Sequence, residues 1–257
     1  MKIFLDVGAH IGERLRSVLD SKYGFDRIYR QARKAAAKIS FLRSTWHLGR
    51  ALVEFARDPW RTPSYFERFF VAPDPWECDT DEGRENYIVV ESVLERVRQG
   101  KFRHALEVGC AEGVFTEMLA QRCESLVAVD FAPTALQRAR QRLPHGHIRF
   151  DLFDLRQDPI SGTFDLIAAM DVLDYIFRPT VLRKIRDKLV AALKPGGYLL
   201  FVSPRQDVLF ETTWWGRLLQ RGGENVRDYI GSHSSLSLVS ADTTETHVFA
   251  LFQKETG

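Results

Sequence analysis

The sequence predicts an α/β fold: a doubly wound, mostly parallel sheet with helices on both faces, preceded by a helical N-terminal extension. Two observations predict it. From residue 102 onward, short apolar runs alternate with amphipathic stretches of helical period, which is the signature of strands joined by crossover helices. The connections between them are short and carry glycine, proline or an acid, so neighbouring elements have little room to pair in any other way.

The elements follow in order. Residues 84–98, "RENYIVVESVLERVR", read as a helix near the sheet edge. "HALEVG" is a strand, "GVFTEMLAQRC" a helix, "SLVAVD" a strand and "PTALQRARQRL" a helix. "HIRFDLFDL" contains a strand, "TFDLIAAMD" is another, and "TVLRKIRDKLVAAL" is a helix. In "KPGG", Pro195 stops that helix, and Gly196 and Gly197 permit backbone angles other residues avoid. "YLLFVSP" and, near the C-terminus, "THVFALFQK" complete the strands. Residues 58–82 are irregular, with Pro59, Pro63, Pro73 and Pro75.

The chain has 257 residues, 45% of them hydrophobic and 27% charged, enough to bury a sizeable core in one large domain with an extension. No apolar run approaches the roughly 20 residues that a membrane-spanning helix needs. An acid interrupts the first apolar stretch, "MKIFLDVGAH", which argues against a cleaved signal peptide. Cys78, Cys110 and Cys123 have neither metal-ligand nor disulfide spacing. The expected location is therefore the cytoplasm. Charge is uneven: Arg27, Arg30, Arg33, Lys34, Lys38, Arg43, Arg50 and Arg57 face only Glu54. That run is either a solvated helix face or a surface for an anionic partner.

Two loops share one pattern. "DVGAHIG" occupies residues 6–12 and "EVGCAEG" residues 107–113. A glycine turn between a strand and a helix lets a ligand approach the backbone, and the helix start offers free N–H groups. The second loop has supporting parts. The next strand ends in Asp130, where a carboxylate accepts both ribose hydroxyls of a nucleoside. A further strand leads to Asp154, placed for an adenine amine, with the Leu155 backbone N–H beside it.

The ordered segments "ALEVGCAEGVFTEMLA", "LVAVD", "RFDLFDL", "FDLIAAMDVLDYI" and "LKPGGYLLF" resemble the class I S-adenosylmethionine-dependent methyltransferases. The resemblance covers roughly residues 66–254 and implies a Rossmann-like, seven-stranded sheet. It implies S-adenosylmethionine as cofactor, S-adenosylhomocysteine as product, and no metal. It places cofactor contacts on Glu107, Gly109, Cys110, Gly113, Asp130, Phe131, Asp154, Leu155 and Asp171, with Ala111 where the family has a third glycine. The flanks, "YFERFFVAPDPWECDTDEGRENYIVVESVL" and "WWGRLLQRGGENVRDYI", are similar to the nodulation-protein-S-type enzymes. Those N-methylate an amino sugar on a chito-oligosaccharide lipid precursor. This implies a small-molecule or saccharide acceptor, with its amine favoured over a hydroxyl.

Residues 2–29 resemble the opening of the FkbM-type methyltransferases, but Arg30 and Gln31 follow where a ribose acid would stand. The reading is therefore a fragment within an extension over residues 1–65, with the methyltransferase domain over 66–257.

Methyl transfer demands alignment, exclusion of water and, for an amine, loss of a proton. The expected catalytic groups are Asp174 and Tyr175, beyond the fourth strand, and His233, with His247 as a second histidine. The plain alternative is that Asp174 caps a turn and Tyr175 packs on it. Trp76, Trp214 and Trp215 suit stacking on sugar faces or core packing, and Arg205 suits an anionic group or a surface ion pair. The competing function is a nucleic-acid-binding or interaction protein with a vestigial pocket. The lack of aromatic interleaving in the basic run, and of an N-P-P-Y-type segment, argues against nucleic acid. A homodimer is left open.

Overall fold

The computed structural model describes residues 66–67, 69–144, 146–176, 179–205 and 222–256. The loop at 6–12, the basic stretch at 27–57, and Trp214 and Trp215 lie outside them. Among the described residues the helices are α1 (Asp81–Val97), α2 (Val114–Gln121), α3 (Pro133–Arg142), α4 (Pro179–Ala192) and α5 (Gly223–Gly231). The strands among them are β1 (Phe102–Val108), β2 (Cys123–Asp130), β3 (Ile148–Leu152), β4 (Phe164–Met170), β5 (Leu193–Pro204), β6 (Leu236–Thr243) and β7 (His247–Lys254). Short 3-10 turns cover Phe69–Val71 and Leu173–Tyr175.

The strands form one sheet in the order β3-β2-β1-β4-β5-β7-β6. All pairs from β3 across to β5 are parallel, while β7 runs antiparallel between β5 and β6. Strand order reverses between β1 and β4, the point where such sheets open a crevice at their carboxyl ends. Both faces are covered. Val90, Leu94, Phe115, Leu119 and Leu136 from α1–α3 pack with Leu126, Leu166 and Phe249 on one face. Leu182, Ile185 and Leu189 of α4 and Val226 and Ile230 of α5 pack with Ile167, Phe201 and Phe252 on the other.

Local chemistry explains the boundaries that position the site. The Thr80 hydroxyl caps α1 by accepting from Gly83 N at 3.0 Å. Pro133 opens α3, where its missing N–H is no loss. The helix before "KPGG" ends at Ala192, before Pro195 is reached, and Leu193 already pairs with Phe164. The two glycines form the irregularity before pairing resumes at Leu166↔Tyr198. Two elements were not visible as apolar runs. β6 is an edge strand whose residues from Ser237 to Thr243 are exposed or half-buried. α5 buries only Val226 and Ile230 among its apolar residues. No described helix is long and apolar enough to cross a membrane.

Candidate active site

The turn from β1 into α2 is left-handed at three places: Gly109 (φ 76°), Ala111 (φ 45°) and Gly113 (φ 82°). Gly109 is compelled by space as well. A Cβ there would stand 2.2 Å from Cγ2 of Val172, in the loop after β4. Ala111 occupies a conformation costing a non-glycine residue roughly 1–2 kcal/mol. Its N–H donates to Asp130 Oδ2 at 2.9 Å, and this bond holds the turn. The N–H groups of Gly109 and Cys110 both donate to Val129 O, at 2.7 and 3.0 Å.

Asp130 therefore stands at the carboxyl edge with both oxygens fixed, Oδ1 accepting from Ala132 N at 2.9 Å. Burial pushes its carboxyl up to about 6, against the opposing pull of backbone N–H donors from Ala132, Ala111 and Phe131. Each oxygen keeps a lone pair for a further donor, which fits a vicinal diol. Below it lies Glu107, 2% exposed, with Oε2 buried and unbonded. Burial drives its carboxyl up to about 8, so at neutral pH it is a neutral acid with a proton to donate. Cys110 is also buried, and its thiol stays protonated.

Two residues past the end of β3, Asp154 is held by its own neighbours. Arg156 donates to both its oxygens at 2.8 Å through Nε and Nη2, and Gln157 Nε2 adds a third contact at 3.0 Å. Burial alone would raise this carboxyl, yet the Arg156 contacts bring it below the usual range. The Arg156 guanidinium lies 5.8 Å from the centroid of the Phe131 ring. A purine amine approaching Asp154 must share the carboxylate with Arg156. Leu155 is buried, and its carbonyl accepts from Lys188 Nζ at 2.8 Å.

Residues 66–67 and 69–79 cover this edge. Phe66 meets Phe131 edge-on at 5.1 Å and Tyr175 edge-on at 5.3 Å, so one ring links the β2 and β4 sides. Trp76 packs among Phe69 and Phe70. The segment is tied to the glycine turn itself: Asp74 N donates to Glu112 Oε2 at 2.8 Å, while Arg138 bridges Glu112 and the Ala72 carbonyl.

Beyond β4, Asp171 is left-handed (φ 54°) and its N–H donates to Val202 O at 2.9 Å. His247, first residue of β7, sits across from Pro204 at the end of β5 and places Nε2 3.4 Å from Asp171 Oδ1. Asn86 of α1 and Thr246 contact the other ring nitrogen. Burial would lower the imidazole pKa, but the charge and hydrogen bond of Asp171 and the charge of Asp174 raise it overall.

Of the expected site residues, Glu107, Gly109, Cys110, Gly113, Asp130, Phe131, Asp154, Leu155, Asp171, Asp174 and Tyr175 line this carboxyl edge in contiguous loops and strand ends. His233 does not join them. Its N–H donates to Ile230 O, and its carbonyl accepts from Leu236, the β6 residue paired with Lys254. That is the opposite edge of the sheet, since Lys254 Nζ in turn reaches Leu193 O at the start of β5. The imidazole lies 3.9 Å from Asp187 there. Arg205 turns to the β6–β7 connection, donating to Thr246 O through its backbone and to Thr244 O through Nη1. Asn86, Glu112 and Arg156 were not foreseen.

A family model described as Nodulation protein S (NodS) matches residues 56–247. The chain belongs to this family. Nodulation protein S of Rhizobium tropici is 37% identical over 139 residues, covering 54% of this chain and 58% of the relative. Magnesium-protoporphyrin O-methyltransferase of Rhodobacter capsulatus is 30% identical over 146 residues, covering 53% and 64%. The chain thus spans less than two thirds of the length of either curated relative. The crystal structure of N-methyltransferase NodS from Bradyrhizobium japonicum WM9, in complex with S-adenosyl-l-homocysteine, is 31% identical, with TM-score 0.63, covering 73% of this chain and 95% of that one. The NodS match begins at residue 56, so the Asp6–Gly12 loop stands outside it.

Proposed function

We propose that this NodS-family chain is an S-adenosylmethionine-dependent methyltransferase, acting through the domain at residues 66–257 on an amine or hydroxyl of a small-molecule or saccharide acceptor. N-methylation of an amino sugar is the favoured form. The observation that carries the reading is Asp130: a buried carboxylate fixed by two backbone N–H groups beside a left-handed turn, at the crevice of the sheet. The likeness to NodS of Bradyrhizobium japonicum, an N-methyltransferase, supports it.

When bound, S-adenosylmethionine supplies a methyl group on a sulfonium, already activated for displacement. Asp130 would hold the ribose diol. Phe131 and the Asp154–Leu155 backbone would flank the base. The turn at Gly109–Gly113 would take the amino-acid end, with Glu107 beneath it as a hydrogen-bond donor. Phe66 and Tyr175 would exclude water, Asp171 would join the cofactor contacts, and Asp174 would face the acceptor side. Most of the catalytic benefit is then positional, because orientation in a dry site removes much of the entropic barrier.

Calorimetric titration of S-adenosylmethionine and S-adenosylhomocysteine tests the reading. Wild type binds in the micromolar range, Asp130→Ala loses binding, and Asp6→Ala keeps it. Mass spectrometry of amino-sugar acceptors then looks for one added methyl. Absence of binding by wild type refutes the proposal, and loss in Asp6→Ala alone moves the site to the first loop.

A further inference from the structure

The sequence marks Asp154 for the amine of the base, yet its carboxylate is already filled. A carboxylate offers about four lone-pair positions, two on each oxygen. Oδ1 accepts from the Arg156 backbone N–H at 3.0 Å and from Arg156 Nε at 2.8 Å. Oδ2 accepts from Arg156 Nη2 at 2.8 Å and from Gln157 Nε2 at 3.0 Å. A purine amine would arrive as one donor too many. The Asp154 side chain is 12% exposed and that of Arg156 23%, so water competes little for this fork.

The surrounding loop leaves the pair little room to turn away. Asp154 N donates to Asp158 Oδ2 at 2.7 Å. The Asp154 carbonyl accepts from the N–H groups of Gln157 and Asp158 at 2.9 and 2.8 Å. Lys188 Nζ of α4 donates to the carbonyls of Leu155 and Asp158, at 2.8 and 2.5 Å. The loop is thus closed on itself, and opening the fork breaks two charge-assisted hydrogen bonds. The same guanidinium stands over the ring of Phe131, the residue after Asp130. The wall from Phe131 to Asp154 therefore carries a cation where the sequence alone promised an anion, and a cation favours acceptors over the N–H donors of an amine.

We infer that Arg156, not Asp154, sets the nucleobase selectivity of this chain: it closes the acid to the 6-amine, so the site takes a purine lacking that amine as readily as adenine. The inference rests on the methyl-transfer reading and deepens its cofactor site.

The test compares two ligands that differ in one group: S-adenosylhomocysteine and its 6-deamino analogue, with purine in place of adenine. The analogue keeps the ring nitrogens, so only the amine is interrogated. Calorimetry on the full chain gives wild-type affinities within about threefold of each other. A hydrogen bond to a charged group corresponds to roughly tenfold in affinity or more. Arg156→Met removes the fork and uncovers a position on each oxygen, so this variant prefers the amine-bearing ligand by about tenfold. Adding Asp154→Ala to it returns the ratio to near one. Asp154→Asn alone keeps the wild-type ratio. A role confined to loop stability would weaken both ligands together and leave every ratio unmoved.

Carboxyl carbon NMR of Asp154 supplies a readout that needs no ligand. Burial pushes this carboxyl up and Arg156 pulls it down, so in Arg156→Met it titrates at higher pH than in wild type. An unchanged titration means that the fork does not hold in solution and overturns the inference. So does Arg156→Met with a ratio near one. Displacement of the exposed Gln157 amide by the purine amine would show as a wild-type preference of about tenfold, abolished in Asp154→Asn, and that result also overturns it. A wild type that binds neither ligand refutes the methyltransferase reading and takes the inference with it, whereas a tenfold wild-type preference refutes the inference alone.

Discussion

Gly109→Ala is the substitution for which the structure makes the most quantitative demand. Two costs add. The first is conformational: at φ 76° an L-residue pays roughly 1–2 kcal/mol. The second is steric, because the new methyl would lie 2.2 Å from Val172 Cγ2, and forced overpacking of this kind costs roughly 1–3 kcal/mol. The sum is about 2–5 kcal/mol, a fall in Tm of roughly 4–20 °C for a domain near 190 residues. The two terms separate in a double-mutant cycle. Val172→Ala removes Cγ2 and leaves a Cβ at 3.5 Å, an ordinary contact. In that background Gly109→Ala should cost only its conformational share, so the pair couples favourably by about 1–3 kcal/mol. Urea denaturation with a common m-value measures all four proteins, and S-adenosylhomocysteine titration reports the turn. A Gly109→Ala protein as stable as wild type, or a coupling energy of zero, would refute the reasoning that Val172 and the left-handed backbone jointly demand glycine.

Other outcomes follow from the buried acids. If the ribose is held by ionised Asp130, S-adenosylhomocysteine affinity is level above pH 7 and weakens about tenfold per pH unit below about 6; titrations at pH 5, 6 and 7 check this, and Asp130→Asn should be weak and flat across them. The same carboxyl binds its proton more tightly folded than unfolded. Its stabilising contribution is present below 3.8 and lost as pH rises through about 6. Glu107 behaves alike over a higher window, from 4.5 to about 8. Glu107→Gln keeps the shape and removes the titration, so its Tm should equal or exceed that of wild type at pH 8 and fall behind at pH 5; an unchanged pH profile would mean that Glu107 is ionised in the fold.

The glycine turn and Asp130 were legible because their chemistry is local. A strand, a turn that tolerates left-handed backbone and an acid at the end of the next strand lie within residues 102–130, and parallel pairing brings Val108 beside Val129. The histidine was not legible in that way. His233 and His247 are equivalent in sequence terms, and only the antiparallel placement of β7 sends one to the carboxyl edge and the other to the far edge. Asn86 reaches His247 across 161 residues, a contact no local pattern announces. Asp154 was legible as a carboxylate just past a strand end, but its engagement by Arg156 depends on side-chain geometry two residues away. β6 escaped because an edge strand exposed over most of its length needs no apolar alternation.

The direction of β7 has one more consequence, and it concerns how the active site tolerates change in length. Residues on this strand alternate between the two cores, with His247, Phe249 and Leu251 toward α1 and Val248, Ala250 and Phe252 toward α4 and α5. Most loops of the fold absorb an inserted or deleted residue as slack. The short connection from Thr243 to His247 has no such freedom, because a slip of one residue inverts the whole strand. An aliphatic Val248 would then face Asn86 and Asp171 in place of an imidazole, while two phenylalanines exchanged cores. The hairpin therefore acts as a counting device: the acid–base character of the acceptor side is written in the number of residues between β6 and β7 as much as in their identity.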